Sequence, residues 1–199
     1  MDAATAEPAG SSTTRERLVE AAVRLFTRHG FAGTSLQMIA DELGFTKAAI
    51  YYHFRTREQL LTAALDPLLR QMQQIVEEAE NLRGVHNRAD RMVRGYADLA
   101  VHNRAMVSVL GTDPSVNEAL RTRTEWDTVI DRQMALLADV DPGPAGTVKA
   151  ALVFSGIAGA AGIASAGLTD EQLYHHLTEA ARRALGLRIT RTVHRKEQG

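Results

Sequence analysis

The 199-residue sequence carries 23 Lys and Arg against 24 Asp and Glu, a net charge of −1, with 45% hydrophobic and 24% charged residues. Such a chain can bury a core and still face water, which excludes a disordered chain, a collagen-like repeat and a charge-driven tail protein. The lack of cysteine excludes a disulfide scaffold, thiolate zinc sites and thiol catalysis, and it fits a reducing, cytoplasmic setting. Residues 1–12, rich in small and polar types, read as a disordered tail without the charged-then-apolar order of a signal peptide.

Charge is unevenly placed. Between Thr13 and Arg57 seven basic residues face four acidic ones, a local excess of +3. The end of the chain is also basic: Arg182, Arg183, Arg188, Arg191, Arg195 and Lys196 meet only Glu197. Such asymmetry suggests an anionic partner, although solvated helix faces produce it as well.

In chain order the pattern is helical almost throughout. Leu18, Ala21, Ala22, Leu25 and Phe26 fall at i, i+3, i+4, i+7 and i+8, one face of an amphipathic helix that Gly30 should end. Thr34 and Gln37 have capping-box spacing for a second helix, with Leu36, Ile39, Ala40 and Leu43 on its inner face. Gly44 should end it, and Thr46 is a plausible N-cap for a third helix through Phe54. A fourth runs from near Thr56 to about Asn81, with Pro67 expected to kink or break it. Further helices are expected over 87–110, 118–138, 147–166 and 170–185, with a Pro-Gly loop at 141–144. No stretch alternates with period two. The expected fold is all-α, divided into a tail (1–12), an N-terminal three-helix helix-turn-helix domain (13–57), a helical domain (58–186) and a basic disordered tail (187–199).

Two short helices joined by Gly44-Phe45-Thr46 have helix-turn-helix dimensions. The N-terminal end of such a second helix can enter a major groove, and its free N–H groups suit a phosphate. Thr46 and Lys47 sit there, followed by the donors Tyr51, Tyr52 and His53. Aromatic residues in a helix are more often core than contact, Tyr51 more so than Tyr52, because three successive residues cannot all face inward.

The residues Arg15-Glu16-Arg17-Leu18-Val19-Glu20-Ala21-Ala22, then Leu25-Phe26 and Gly30-Phe31, resemble the first helix of the TetR family of transcriptional regulators. Thr34 to Ala40 resembles the second helix of that family, and Thr46 to Phe54 followed by Arg57-Glu58-Gln59-Leu60 resembles its recognition helix and the start of its fourth. The likeness runs from Arg15 to Leu61 without a gap. It implies a ligand-released homodimeric repressor on a pseudo-palindromic double-stranded DNA operator. It places Thr46, Lys47, Ala48 and Tyr52 near bases and flanking phosphates, Tyr51, His53 and Arg57 on phosphates, and Thr34, Ser35 and Gln37 at the DNA backbone. Two departures stand out: Ala48-Ala49 where a Gly is frequent, and Arg57 where a Lys is usual, which keeps the charge but changes the donor geometry.

The remainder has the length of that family's ligand-binding and dimerisation domain. The resemblance implies an effector pocket among its helices. Met72, Tyr96, Leu99, Met106, Trp126, Ile130, Met134 and Phe154 would supply apolar and soft surface, with His102, Asn103 and Glu125 as polar anchors, so a lipophilic or aromatic effector is expected. Most of these residues could equally be ordinary core. Residues 150–168 carry no charge and include Gly156, Gly159 and Gly162. They could span a bilayer by length, but they are small rather than greasy and lack an aromatic belt, so a buried dimer-interface helix is preferred. Val153, Gly156, Ile157, Ala160, Leu173 and Leu177 are its expected contacts, and no membrane partner is expected. Pro67 offers a place where effector binding could bend the fourth helix.

No P-loop, GxSxG, HExxH or dinucleotide fingerprint occurs, so an enzyme is not expected, nor a cofactor. His175-His176 diverge by about 100° on a helix and do not make a metal-chelating pair. The alternative is a helical protein-binding scaffold or adaptor without specific DNA binding.

Overall fold

The computed structural model describes residues 13–120, 123–163 and 167–187. Among them are ten helices and no strand: α1 (Thr14–His29), α2 (Leu36–Glu42), α3 (Lys47–His53), α4 (Arg57–Glu80), α5 (Val85–His102), α6 (Arg104–Thr112), α7 (Pro114–Leu120), α8 (Thr124–Ala138), α9 (Pro144–Ile163) and α10 (Asp170–Leu185). The fold is all-α, as the periodicity predicts. The tail expected at 1–12 lies outside the described residues, as does the one expected at 187–199 apart from Leu187, which is buried in the core rather than disordered.

The chain forms two compact units that meet between Asp66 and Pro67. In the first, a capping box starts α1: the Glu16 N–H donates to Thr13 Oγ1, and the Thr13 N–H donates to the Glu16 carboxylate. Its apolar stripe, Leu18, Ala21, Ala22, Leu25 and Phe26, is buried. Phe26 meets Phe31 edge-on at 5.3 Å. Ile39, Ala40, Ile50 and Phe54 complete the core from α2 and α3. Leu60, Leu61 and Leu65 are buried too, which is why this unit reaches beyond Arg57 into α4.

Helix α4 runs through Pro67 without interruption. Of the expected kink or break, the break does not occur; Pro67 has no N–H for the Ala63 carbonyl, so the helix lacks one rung there.

In the second unit α9 packs against α6, α8 and α10, and α5 packs against α8, α9 and α10. Gly95 of α5 faces Ile75 of α4 so closely that a Cβ would lie 2.5 Å from Ile75 Cγ2. Ion pairs tie the helices: Arg132 to Glu80, Arg182 to Asp90 at 2.5 Å, and Arg91 to Glu78. Three boundaries differ from expectation. The helix expected over 87–110 is two, because Asn103 takes the Leu99 carbonyl with both its backbone N–H and its side-chain Nδ2 and leaves helical geometry. The helix expected over 118–138 begins at Thr124, after α7 has ended at Leu120. α9 begins at Pro144, the first helical position, where a missing N–H costs nothing.

Candidate nucleic-acid interface and effector cavity

The link between α2 and α3 is fixed by backbone bonds. The Gly44 N–H donates to the Asp41 carbonyl, and the Phe45 N–H donates to the Ala40 carbonyl at 2.9 Å. Gly44 sits at φ 68°, a left-handed conformation that a side chain would strain. Thr46 then caps α3, its Oγ1 accepting from the Ala49 N–H at 3.2 Å. With Ile50 and Phe54 anchored in the core, helical periodicity turns the opposite face outward. Thr46, Lys47, Ala48, Tyr51 and Tyr52 are exposed, and Tyr52 retains 86% of its accessible surface. Lys47 Nζ lies 5.7 Å from the centre of the Tyr51 ring, and the half-buried His53 meets Tyr52 edge-on at 5.0 Å. The exposed Arg55 follows directly and makes no ion pair among the described residues. This face offers cation, hydroxyl and aromatic groups within one short helix. Such groups serve phosphate oxygens and base edges.

The second unit contains a cavity of about 350 Å³. Its lining includes Leu68, Met72, Tyr96, Leu99, Trp126, Ile130 and Phe154. Tyr96 stacks on Phe154, ring centres 5.1 Å apart and planes 12° from parallel. Burial pushes the Tyr96 phenol far above its ordinary value, so it stays neutral. The folded chain therefore keeps a proton that the unfolded chain releases from about pH 10. The stabilisation is complete below that value and declines as pH rises above it. Tyr96→Phe is expected to flatten this alkaline decline, read as the difference between the melting temperatures of the two proteins from about pH 9 to 11.

The sequence comparison settles the family of the first unit. Residues 18–64 match the family described as bacterial regulatory proteins, tetR family. Over these residues the chain carries the domain of that family. It is 44% identical over 52 residues to the uncharacterized HTH-type transcriptional regulator YerO of Bacillus subtilis, a segment that covers 26% of this chain and 18% of that one. It is 32% identical over 78 residues to the HTH-type nicotine-responsive transcriptional repressor HdnoR of Paenarthrobacter nicotinovorans, covering 37% of this chain and 40% of that one. The chain thus matches well under half the length of these curated relatives. The likeness of fold extends further. The ketosteroid transcriptional regulator KstR2 of Mycobacterium tuberculosis superposes with a TM-score of 0.71 over 88% of this chain and 95% of its own, at 17% identity.

Within the tetR-family domain, the expected contact residues divide. Thr46, Lys47, Ala48, Tyr51 and Tyr52 share the outward face of α3, and Ser35 and Gln37 are exposed at the start of α2. Tyr51, the stronger candidate for core, is instead 44% exposed. Thr34 is a correction. It is 2% exposed and its hydroxyl donates to the Gly30 carbonyl, so it is turned away from any DNA backbone. Ser35 is the true cap of α2, accepting from the Met38 N–H, while Gln37 donates to Asp41 rather than closing a capping box. Arg57 is the second correction. Its guanidinium lies 4.8 Å from the Phe31 ring centre, donates to the Phe31 and Ala32 carbonyls, and pairs with Glu58. Those bonds hold the loop after α1 and engage Nε and Nη1 of the guanidinium within the chain, which turns part of Arg57 to a structural role.

Among the expected pocket residues, Met72, Tyr96, Leu99, Trp126, Ile130 and Phe154 line the cavity. Met106, Glu125 and Met134 do not; Met106 is core. His102, at the end of α5, and Asn103, its C-cap, line a separate polar groove with Arg94 and Tyr174. The polar lining residue that sequence reasoning missed is Gln133, which has no exposed surface. The signal was present: Val129, Gln133, Leu136 and Leu137 form the buried stripe of α8, so a polar residue stands at an apolar register position.

Helix α9 is long and apolar enough to cross a membrane by length and composition, yet its inner face packs in the second unit. Its outer face leaves Val148, Leu152 and Ile163 exposed. Beside it, α9 and α10 form a groove of about 230 Å³ lined by Leu152, Val153, Gly156, Ile157, Ala160 and Leu177 among others. Val153, Ile157 and Leu177 are largely buried at its floor. Leu173, expected at an interface, is instead core at 2% exposure. Gly162 is engaged within the chain, where a Cβ would meet Ser108 of α6 at 2.8 Å, whereas Gly156 has open space around its Cβ position.

Proposed function

We propose that this chain is a sequence-specific DNA-binding transcriptional regulator, acting in the cytoplasm as a homodimeric repressor that a small lipophilic or aromatic effector releases from its operator. The observation that carries the reading is the outward face of α3, where Thr46, Lys47, Ala48, Tyr51 and Tyr52 stand exposed on a short helix whose opposite side is locked into a core. Two such helices on a pseudo-palindromic operator need a dimer. The exposed apolar face of α9 and its small-residue groove supply a surface for a second copy. The apolar cavity supports a lipophilic effector, and one relative is itself named as nicotine-responsive. Leu68 and Met72 contribute the α4 share of the cavity wall, so an occupant touches the helix whose earlier turns belong to the first unit. Release requires that the effector bind the DNA-competent and DNA-incompetent states unequally.

Fluorescence anisotropy on DNA from upstream of the protein's own gene, and on fragments selected from a random pool, tests the reading. Saturable binding in excess nonspecific competitor, with affinity falling steeply as salt rises, is expected. Absence of specific binding to every selected fragment, or a monomer in sedimentation at micromolar concentration, would overturn it.

A further inference from the structure

The wall of the cavity in the second unit is largely apolar, and its polar side-chain groups belong to Tyr96, Trp126, Asp127 and Gln133. Gln133, a fully buried residue of α8, lines it, and among the described residues neither its Oε1 nor its Nε2 has a hydrogen-bond partner. A primary amide buried without partners is strongly unfavourable, since both its acceptor and its donors have left water. The neighbouring positions of the stripe are Val129, Leu136 and Leu137, and a leucine at 133 would continue it without that penalty. Folding alone gives no reason for an amide here; an occupant of the cavity does. Among the described residues, Asp127 is the only charged one in the lining, and it is exposed.

Resting on the reading of this cavity as the effector site, we propose that Gln133 is its polar anchor and selects neutral lipophilic ligands carrying an N–H donor beside a C=O acceptor, that is, lactams and cis-amides. The carboxamide of Gln133 presents an acceptor and a donor side by side. An amide edge satisfies both at once through two antiparallel N–H···O bonds. A carboxylate brings only acceptors and leaves Oε1 unpaired, and an ammonium brings only donors and leaves Nε2 unpaired. A ketone pairs with Nε2 alone. Sites with buried groups awaiting hydrogen bonds discriminate sharply against analogues that lack them.

Isothermal titration calorimetry of the full chain tests this with three probes of nearly one shape: 3,4-dihydroisoquinolin-1(2H)-one, its N-methyl derivative, and 1-tetralone. The unsubstituted lactam is expected to bind about tenfold or more tightly than the other two. In Gln133→Leu the three affinities should converge, with that of 1-tetralone held or raised. The variant without ligand should melt no lower than the parent, because an unpaired amide has been removed. Equal affinities for the three probes in the parent protein would overturn the anchor and leave the effector cavity standing. A preference for the lactam that survives in Gln133→Leu would also overturn it. Binding of none of the probes at millimolar concentration would overturn the cavity reading along with it. Should the leucine variant fail to fold, the N-methyl comparison in the parent protein decides alone.

Discussion

Tyr52→Ala is expected to weaken operator binding by about tenfold to a hundredfold, the range for loss of one good DNA contact, while the melting temperature stays where it was. The two halves of this expectation rest on one observation. Tyr52 keeps 86% of its surface exposed, and its ring meets that of His53 edge-on. A side chain so placed adds little to the fold, and surface substitutions of this kind stay within about 0.5 kcal/mol. Its loss is therefore read in DNA affinity alone. Parallel anisotropy and thermal melts separate the outcomes. A fall in both would make Tyr52 structural, and no fall in affinity would remove it from the contact face. The effect should persist across salt concentrations if the phenol reads a base edge, whereas Lys47→Ala should reduce the salt dependence itself.

Phe26→Ala is expected to destabilise the first unit by about 3–5 kcal/mol, the usual range for a fully buried phenylalanine. Phe26 is 1% exposed and packs edge-on against Phe31. Phe31 in turn carries the Arg57 guanidinium over its ring and on its carbonyl. One truncation thus opens a void under the loop after α1 and loosens the clamp that closes it. A loss of this size is comparable to the whole stability of a small domain, so DNA binding should disappear. Hydrogen exchange should show protection lost over α1 to α3 and kept over α5, α8 and α9, whose core is separate. Uniform loss of protection along the chain would mean that the two units do not unfold independently.

Much of the fold was legible because local rules and tertiary demand agree. The α1 stripe, its end at Gly30 and the turn at Gly44 follow from periodicity and glycine conformation, and all stand where they were expected. The misreadings occur where local rules are degenerate. Thr34 and Ser35 are adjacent hydroxyl residues, either able to cap a helix. What separates them is the bond from the Thr34 hydroxyl to the Gly30 carbonyl, which depends on the path of the loop. Arg57 reads as a free cation because the carbonyls it holds are 25 and 26 residues away in the chain. Asn103 sits in an unbroken apolar pattern, and only its side-chain competition for the Leu99 carbonyl divides α5 from α6. Gln133 was legible and was passed over, because polar residues in an apolar stripe are easily taken for noise.

Pro67 opens the second compact unit, and the tetR-family match ends three residues earlier, at Ala64. Sequence likeness and physical compactness therefore change hands at nearly the same place, inside a helix rather than in a loop. A crossover there leaves each core whole and keeps every residue of α4 in phase, provided that no residue is gained or lost. The seam is thus a place for inheritance to cut: the first unit can be kept while the second is exchanged, and under the proposed function a lineage would acquire a new signal without relearning its address.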